Sequence, residues 1–204
     1  FWLLPCVADA QTRTVIASDD FDRPAEIPFA VDGNWLKAAG GGNANLVGNH
    51  VAGVAGEAVY AWQGSGIFDE ARQYARARVV QATGGEAGLA LLGASGQAII
   101  VAWEGNTGTV LIFWYVGSTP QTALTTAPST IVPGDLIEAE LLDGTIYAKV
   151  NGVVVASAAN TTSLTTGRPG FQTFLSGSVL DDWEAGTPAV NTIQGRIADG
   201  AAVG

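Results

Sequence analysis

Residues 134–158 constrain the fold more strongly than any other part of this 204-residue chain. They contain two dipeptides, Asp143-Gly144 and Asn151-Gly152, that are typical of two-residue β-hairpin turns. Such turns need a positive φ, which Gly, Asn and Asp tolerate better than other residues. Between the turns, apolar and polar residues alternate, which predicts a half-buried strand. The stretch therefore predicts three consecutive antiparallel strands, a meander.

The first strand of this meander has one apolar and one acidic face by the same alternation. We expect the acidic face to be solvated and the apolar face to enter the core. The apolar positions are Ile137, Ala139 and Leu141, and the acidic ones are Asp135, Glu138 and Glu140.

The rest of the chain repeats the pattern of short strands and frequent turns. Apolar runs of strand length occur at residues 88–92, 97–103 and 109–116, and glycine-containing turns separate them. Hydrophobic residues make up 48% of the chain and charged residues only 14%, which is typical of a packed globular protein. These features predict an all-β fold, an antiparallel two-sheet β-sandwich.

Charge and cysteine content exclude several classes of protein. The net charge of −10 argues against a nucleic-acid partner and against anionic membrane surfaces, because both bind basic surfaces. No apolar run approaches the roughly 18 residues that a membrane span needs. The single cysteine, Cys6, rules out an internal disulfide framework.

The domain organisation follows from composition at the two ends. We assign residues 1–16 to an N-terminal arm, residues 17–186 to the sandwich domain, and residues 187–204 to a C-terminal tail or connection. The arm begins with an apolar segment, which we interpret as packing on this domain or on a neighbour; a signal-peptide remnant is the alternative. Arms of this kind suit contacts with neighbouring protein subunits, and a homo-oligomer is compatible with them.

Several motifs occur in an order that resembles a known superfamily. They are SDDFDRP (18–24), GNW (33–35), QYARARV (73–79), the PGD that precedes the meander (133–135), GRPGF (167–171) and LDDWEAG (180–186). This order resembles the concanavalin A-like lectin/glucanase superfamily, in the laminin-G-like form found in bacterial secreted proteins and phage structural proteins. The resemblance covers residues 17–186 and implies a jelly roll of two antiparallel sheets.

The first and last predicted strands carry matching motifs, Asp-Asp-Phe and Asp-Asp-Trp. We expect these strands to pair, with Phe21 and Trp183 pointing into the core. Relatives in this superfamily often hold a structural calcium ion where such strands meet, and oxygen ligands are what calcium prefers. The candidate calcium ligands are Asp19, Asp22, Asp181 and Asp182, with Asp20 beside them. The alternative is that these acidic residues cap the ends of strands and face water. No other cofactor is expected.

Glycan binding is the second property that the resemblance implies. Aromatic rings stack on sugars, and charged or amide groups bind their hydroxyls. The candidate ligand residues are Tyr147, Trp103, Trp114, Trp62, Arg76 and Arg78. Most tryptophans in a sandwich belong to the core, and the two arginines can instead pair with Glu138 and Glu140 across the sheet.

Catalysis is poorly supported by the sequence. The glucanase branch of the superfamily carries its carboxylates as Glu-x-Asp-x-Glu on one strand, and this motif is missing here. One histidine, His50, and one cysteine cannot build the usual zinc site. We therefore predict that the chain is not an enzyme.

Three functional hypotheses follow. The first is a non-catalytic structural or adhesion module of an extracellular assembly, most specifically a phage virion protein of the capsid decoration or tail. The second is a carbohydrate-binding lectin-type module, which is compatible with the first. The third, a glycoside hydrolase, has the least support. The expected location is extracellular or in a virion.

Overall fold

The computed structural model of the chain describes residues 13–29, 33–117 and 119–189. All regular structure in this part of the chain is β-strand. None of it forms a helix long and apolar enough to cross a membrane. The strands form two antiparallel sheets, so the predicted all-β sandwich is confirmed.

The first sheet, sheet A, contains both described ends of the chain. β1 (Thr14–Asp19) pairs with β16 (Ser178–Thr187) at one side of the sheet. The remaining order runs β14 (Val153–Ala159), β13 (Thr145–Val150), β12 (Leu136–Leu142), β6 (Arg72–Ala82), β16, β4 (His50–Ala55) and β3 (Asn43–Val47).

The second sheet, sheet B, packs against sheet A. Its order runs β10 (Thr119–Pro120), β9 (Thr109–Val116), β8 (Gln97–Glu104), β7 (Glu86–Ala94), β15 (Arg168–Phe174), β5 (Glu57–Trp62) and β2 (Trp35–Ala39). β11 (Thr125–Pro128) pairs with β9.

The meander is confirmed as β12, β13 and β14. Both predicted turns have two consecutive residues with positive φ: 47° and 83° at Asp143-Gly144, and 51° and 81° at Asn151-Gly152. This is the backbone that a type I′ hairpin turn requires, which is why these two dipeptides could be recognised in the sequence.

The first and last described strands pair as expected. Asp19 lies opposite Trp183, and Thr14 lies opposite Thr187. Phe21 and Trp183 are buried, with 0% and 1% of their surfaces exposed. The pairing extends three residues before and one residue after the assigned domain limits, whereas most of the arm and of the tail, residues 1–12 and 190–204, lies outside the described residues.

The main core lies between the sheets and contains a cluster of aromatic rings. It comprises Phe21, Phe29, Trp35, Tyr60, Trp62, Phe171 and Trp183, each with its ring centroid 4.8–6.3 Å from that of another. Edge-to-face contacts predominate, the arrangement that ring quadrupoles favour.

Sheet B also curls, so that its edge strand approaches its centre. The N–H of Gly96, in the β7–β8 turn, donates a 2.7 Å hydrogen bond to the carbonyl of Ala38 in β2, although β15 and β5 lie between β7 and β2. Side chains on the face turned away from sheet A form a second apolar cluster that includes Val59, Ile100 and Tyr115.

Candidate functional site

A cavity of about 470 Å³, here called the end pocket, opens where β1, β2, β5 and β16 meet. Its charged and polar lining consists of Ser18, Asp19, Asp20, Arg23, Asn34, Asp182 and Glu184. Its apolar lining consists of Trp35, Trp62 and Trp183. Both sheets contribute, so the pocket exists only in the closed sandwich.

Asp19 stabilises one wall of the end pocket through three hydrogen bonds. One carboxylate oxygen accepts hydrogen bonds from the N–H of Phe21 (2.8 Å) and from Nη1 of Arg23 (2.7 Å). The other accepts from Nε1 of Trp35 at 2.8 Å. These bonds fix the loop after β1 against the first residue of β2, so this wall is formed before any ligand arrives.

A bulge in β16 shapes the opposite wall. The register with β6 shifts between Asp181 and Glu184, and Asp182 has a positive φ of 48°. β-Bulges re-aim side chains in this way. Asp182 also accepts a hydrogen bond from Nε of Arg78 at 3.2 Å, outside the pocket lining.

The tryptophans form an apolar floor of small accessible area. Trp62 stacks on Trp183 with ring centroids 5.6 Å apart, and Trp35 packs edge-on against both. Trp62 keeps 9% of its surface exposed, whereas the other two rings are essentially inaccessible. A ligand in the end pocket would therefore contact a small part of one indole and otherwise polar groups.

The candidate calcium ligands are not gathered around one point. Asp22 accepts from the amide of Asn49 at 2.6 Å, and Asp181 lies 3.3 Å from Nδ1 of His50. Asp19 and Asp182 line the end pocket, together with Asp20. No group of three or more metal-ligating side chains occurs within the described ranges. Calcium binding stays a prediction, without a donor cluster to support it.

Two of the candidate ligand aromatics lie on the inner side of sheet B. Trp103 is fully buried in the main core, which corrects its prediction as a surface for sugars, because no part of its ring is accessible. Trp114 is partly buried and packs against the same core. Of the predicted tryptophans, Trp62 alone lines the end pocket.

The remaining candidates lie on the outer face of sheet A, among paired charges. The arginines do pair across the sheet, but with the acids of β16 and not with those of β12: Arg76 binds Glu184 at 2.8 Å, and Arg78 binds Asp182. Tyr147 lies on the same sheet, opposite Glu140, and is partly buried.

The charged groups of this face form what we call the sheet A ion network. Its members are Arg13, Tyr74, Arg76, Glu138, Glu140, Lys149 and Glu184. Arg13 binds Glu138 through both guanidinium nitrogens at 2.7 Å and lies 4.2 Å above the Tyr74 ring. Lys149 binds both Glu138 (3.1 Å) and Glu140.

The solvated acidic face predicted for β12 is therefore wrong. Glu138 and Glu140 lie on the outer face, but only 4% and 6% of their surfaces are exposed. Arg13 and Lys149 cover them, and the ion pairs compensate for the loss of water.

A second group of carboxyls lies on the outer face of sheet B. The fully buried Gln172 donates from Nε2 to Glu57 (3.2 Å) and to Glu86 (3.3 Å), and Glu104 lies opposite Glu86 in the next strand. Burial raises the pKa of Glu57 to about 8, and the Glu86 charge adds to the rise. Burial and the Glu104 charge also raise the pKa of Glu86.

A fully buried amide separates Glu57 from Glu86, and this bears on whether they could act as a hydrolytic pair. Glycoside hydrolysis requires the scissile bond to lie between an acid and a second carboxylate. Here the amide of Gln172 occupies the space between Glu57 and Glu86. The group is better described as a buried polar contact that responds to pH.

We expect Glu57→Gln to stabilise the protein at about pH 8 by roughly 2 kcal/mol, since partial exposure screens part of the effect. In the folded protein the pKa of Glu57, about 8, lies above the usual 4.5. The stabilisation that Glu57 contributes to the wild type is therefore complete below pH 4.5 and is lost as pH rises through 8. Gln keeps the neutral form at every pH. Denaturant unfolding at about pH 5 and about pH 8 measures the difference.

Glu70→Gln is the matched control, because Glu70 is exposed on the surface. The free energy of unfolding of Glu70→Gln should equal that of the wild type at both pH values. An unchanged pH dependence in Glu57→Gln would show that Glu57 ionises normally in the folded protein.

Sequence reasoning missed Asn34 and Glu184 in the end pocket, and all of the Glu57–Gln172–Glu86 group. The position of Glu57 and Glu86 as first residues of two strands was the available signal. It does not reveal that β15 places Gln172 between them.

No protein-family model matches the sequence, and no curated protein matches it. The sandwich nevertheless has the concanavalin A-like, galectin-like jelly-roll fold, as its similarity to solved structures shows. A carbohydrate-binding module, CBM66 from Bacillus subtilis, has a TM-score of 0.57 at 11% identity, over 73% of this chain and 91% of that one.

Two further solved structures are similar over most of both chains. The endo-β-1,3-glucanase from Pyrococcus furiosus has a TM-score of 0.57 at 9% identity, over 89% of this chain and 97% of its own. A protein of unknown function with a galectin-like fold, from Bacillus subtilis, has a TM-score of 0.56 at 12% identity, over 87% and 99%. The named functions differ, and at such identities the likeness defines the fold alone.

Proposed function

We propose that this chain is a non-catalytic, lectin-like module that binds glycans in the end pocket. The observation that carries the proposal is the pocket itself, a cavity of about 470 Å³ that carboxylate and amide groups line together with Trp62. This volume lies within the usual range of small-molecule sites, roughly 300–1,000 Å³. The similarity of the fold to a carbohydrate-binding module is consistent with it.

The lining suits a polyol better than an apolar ligand. Sugar hydroxyls donate hydrogen bonds to carboxylate oxygens such as those of Asp20, and they accept from donors such as Arg23 and the amide of Asn34. The small exposed part of Trp62 offers an apolar contact for the C–H groups of a sugar ring. Because Asp19 already holds its wall in place, little ordering entropy is lost on binding.

The protonation state of Glu184 supports binding over hydrolysis. Burial opposes its ionisation, but hydrogen bonds from Arg76 (2.8 Å) and Tyr74 (2.7 Å) outweigh burial and lower its pKa. A general acid for glycoside cleavage needs the opposite shift, towards a carboxyl that stays protonated.

The wider role we propose is that of a structural or adhesion module in an extracellular assembly, and most specifically in a phage virion. The motif order of residues 17–186 and the apolar start of the chain support this finer proposal. In this role the terminal arms contact neighbouring subunits and the end pocket contacts a glycan.

A glycan array, probed with the purified chain in calcium and again in a chelator, tests the binding proposal. We expect a specific glycan signal that Asn34→Ala weakens about fivefold to tenfold, the effect of one hydrogen bond. Loss of the signal in the chelator would support the calcium prediction.

Asn106→Ala is the control, because Asn106 is exposed in the β8–β9 turn, away from the pocket lining. It should bind like the wild type. An array without signal in both solutions would contradict glycan binding and leave the assembly role.

A further inference from the structure

We propose that the end pocket selects glycans that carry a positively charged amino group, and that it excludes acidic glycans. The inference rests on the proposed glycan-binding function and adds the substrate class. Its basis is the distribution of charge around the pocket.

The pocket lining contains four carboxylates and one guanidinium. Three of the carboxylates have cationic partners: Asp19 is paired with Arg23, Asp182 with Arg78, and Glu184 with Arg76. The fourth, that of Asp20, forms no ion pair within the described part of the chain. The pocket therefore presents one carboxylate whose charge a ligand can neutralise.

The position of Asp20 makes this charge available. It follows the last residue of β1, is exposed, and accepts a 3.1 Å hydrogen bond from the N–H of Asp22, which turns the chain beside the pocket. That bond occupies one oxygen and leaves the other for a ligand. An ammonium group offers three donors and a full positive charge to such an acceptor.

The same charge acts against acidic sugars. A uronate carboxylate in the pocket would meet Asp20 without a compensating charge, since two carboxylates, Asp19 and Glu26, already neutralise the single charge of Arg23. The two like charges would repel, and the repulsion is stronger beside protein than in bulk water because the effective dielectric constant is lower. Neutral sugars would bind with intermediate affinity through hydroxyl hydrogen bonds.

The test is isothermal titration calorimetry with three short oligosaccharides of equal length: glucosamine oligomers, their N-acetylated counterparts, and galacturonate oligomers. The first two share the ring and its hydroxyls and differ only at the nitrogen, where acetylation removes the positive charge. We expect glucosamine oligomers to bind about fivefold to tenfold more tightly than the acetylated ones, the effect of one charge-assisted contact. We expect no measurable binding of galacturonate.

Two variants separate the pocket from the general attraction of an acidic protein for cations. Asp20→Asn and Asp22→Asn change the net charge of −10 equally, but only Asp20 lines the pocket. Asp20→Asn should abolish the preference for the amine, and Asp22→Asn should retain it. An equal loss in both variants would mean long-range attraction alone and would overturn the inference.

The remaining outcomes distinguish this inference from the function on which it rests. Equal affinity for acetylated and free amino sugars, or tight binding of galacturonate, would overturn the charge selection while glycan binding stands. The absence of binding for all three oligosaccharides would overturn both.

Discussion

We expect Trp183→Ala to lower the free energy of unfolding by about 3–5 kcal/mol, the usual cost of removing a buried tryptophan. Only 1% of the surface of Trp183 is exposed, and its ring lies 4.8 Å from Trp35 and 5.6 Å from Trp62. Removing the indole would leave a cavity between the first and last strands and the aromatic cluster. Denaturant unfolding followed by circular dichroism measures the loss.

Two further variants sharpen this result. Trp183→Phe keeps an aromatic ring but loses the Nε1 hydrogen bond to the carbonyl of Gly170, so it should cost about 1–3 kcal/mol. Val153→Ala, at an edge-strand position with 65% of its surface exposed, should be nearly neutral. A loss below about 1 kcal/mol in Trp183→Ala would mean that the ring does not close the core.

The elements that sequence predicted well are those with local chemical signals. Asp143-Gly144 and Asn151-Gly152 specify their turns through backbone φ alone, and so they defined the meander without knowledge of any other strand. The pairing of β1 with β16 was predicted from matching motifs at the two ends of the domain. It brings Asp19 opposite Trp183.

The exposure of the outer faces could not be predicted in the same way. The alternation of apolar and polar residues correctly placed Glu138 and Glu140 on the face turned away from the core. It does not indicate whether other side chains cover that face. Their burial depends on Arg13, 125 residues away from Glu138, and on Lys149 in the neighbouring strand. Such contacts are a property of tertiary structure.

The end pocket illustrates the same limit for function. Its lining comes from four separated segments, and Asp182 lies in the bulge of β16, which the sequence does not reveal. The sequence indicates that the tryptophans matter, but not which of them belong to the core and which to a binding site. Trp103 lies inside the core, and Trp62 lies at the pocket floor. The role of each tryptophan depends on which face of its strand turns towards the core. A long apolar run such as β8 has no alternation of apolar and polar residues, so its sequence does not indicate that face.

We expect Lys149→Met to lower the free energy of unfolding by about 3 kcal/mol, because removing one partner of a buried ion pair leaves uncompensated charge. Lys149 binds Glu138 and Glu140, whose side chains are only 5% and 8% exposed. Burial lowers the pKa of Lys149, but its bonds to the two carboxylates outweigh burial and raise it. The charge of Lys149 is therefore held within the sheet A ion network, and its loss brings two like charges together.

A double variant identifies the cause of this loss. If carboxylate repulsion is responsible, Lys149→Met/Glu140→Gln should be more stable than Lys149→Met alone, because one of the two like charges is gone. Lys37→Met, where the ammonium donates a solvent-exposed hydrogen bond to Asn43, should change stability by less than about 0.5 kcal/mol. If Lys149→Met loses no more stability than Lys37→Met, or if the double variant is no more stable than Lys149→Met, then Lys149 does not compensate the buried carboxylates.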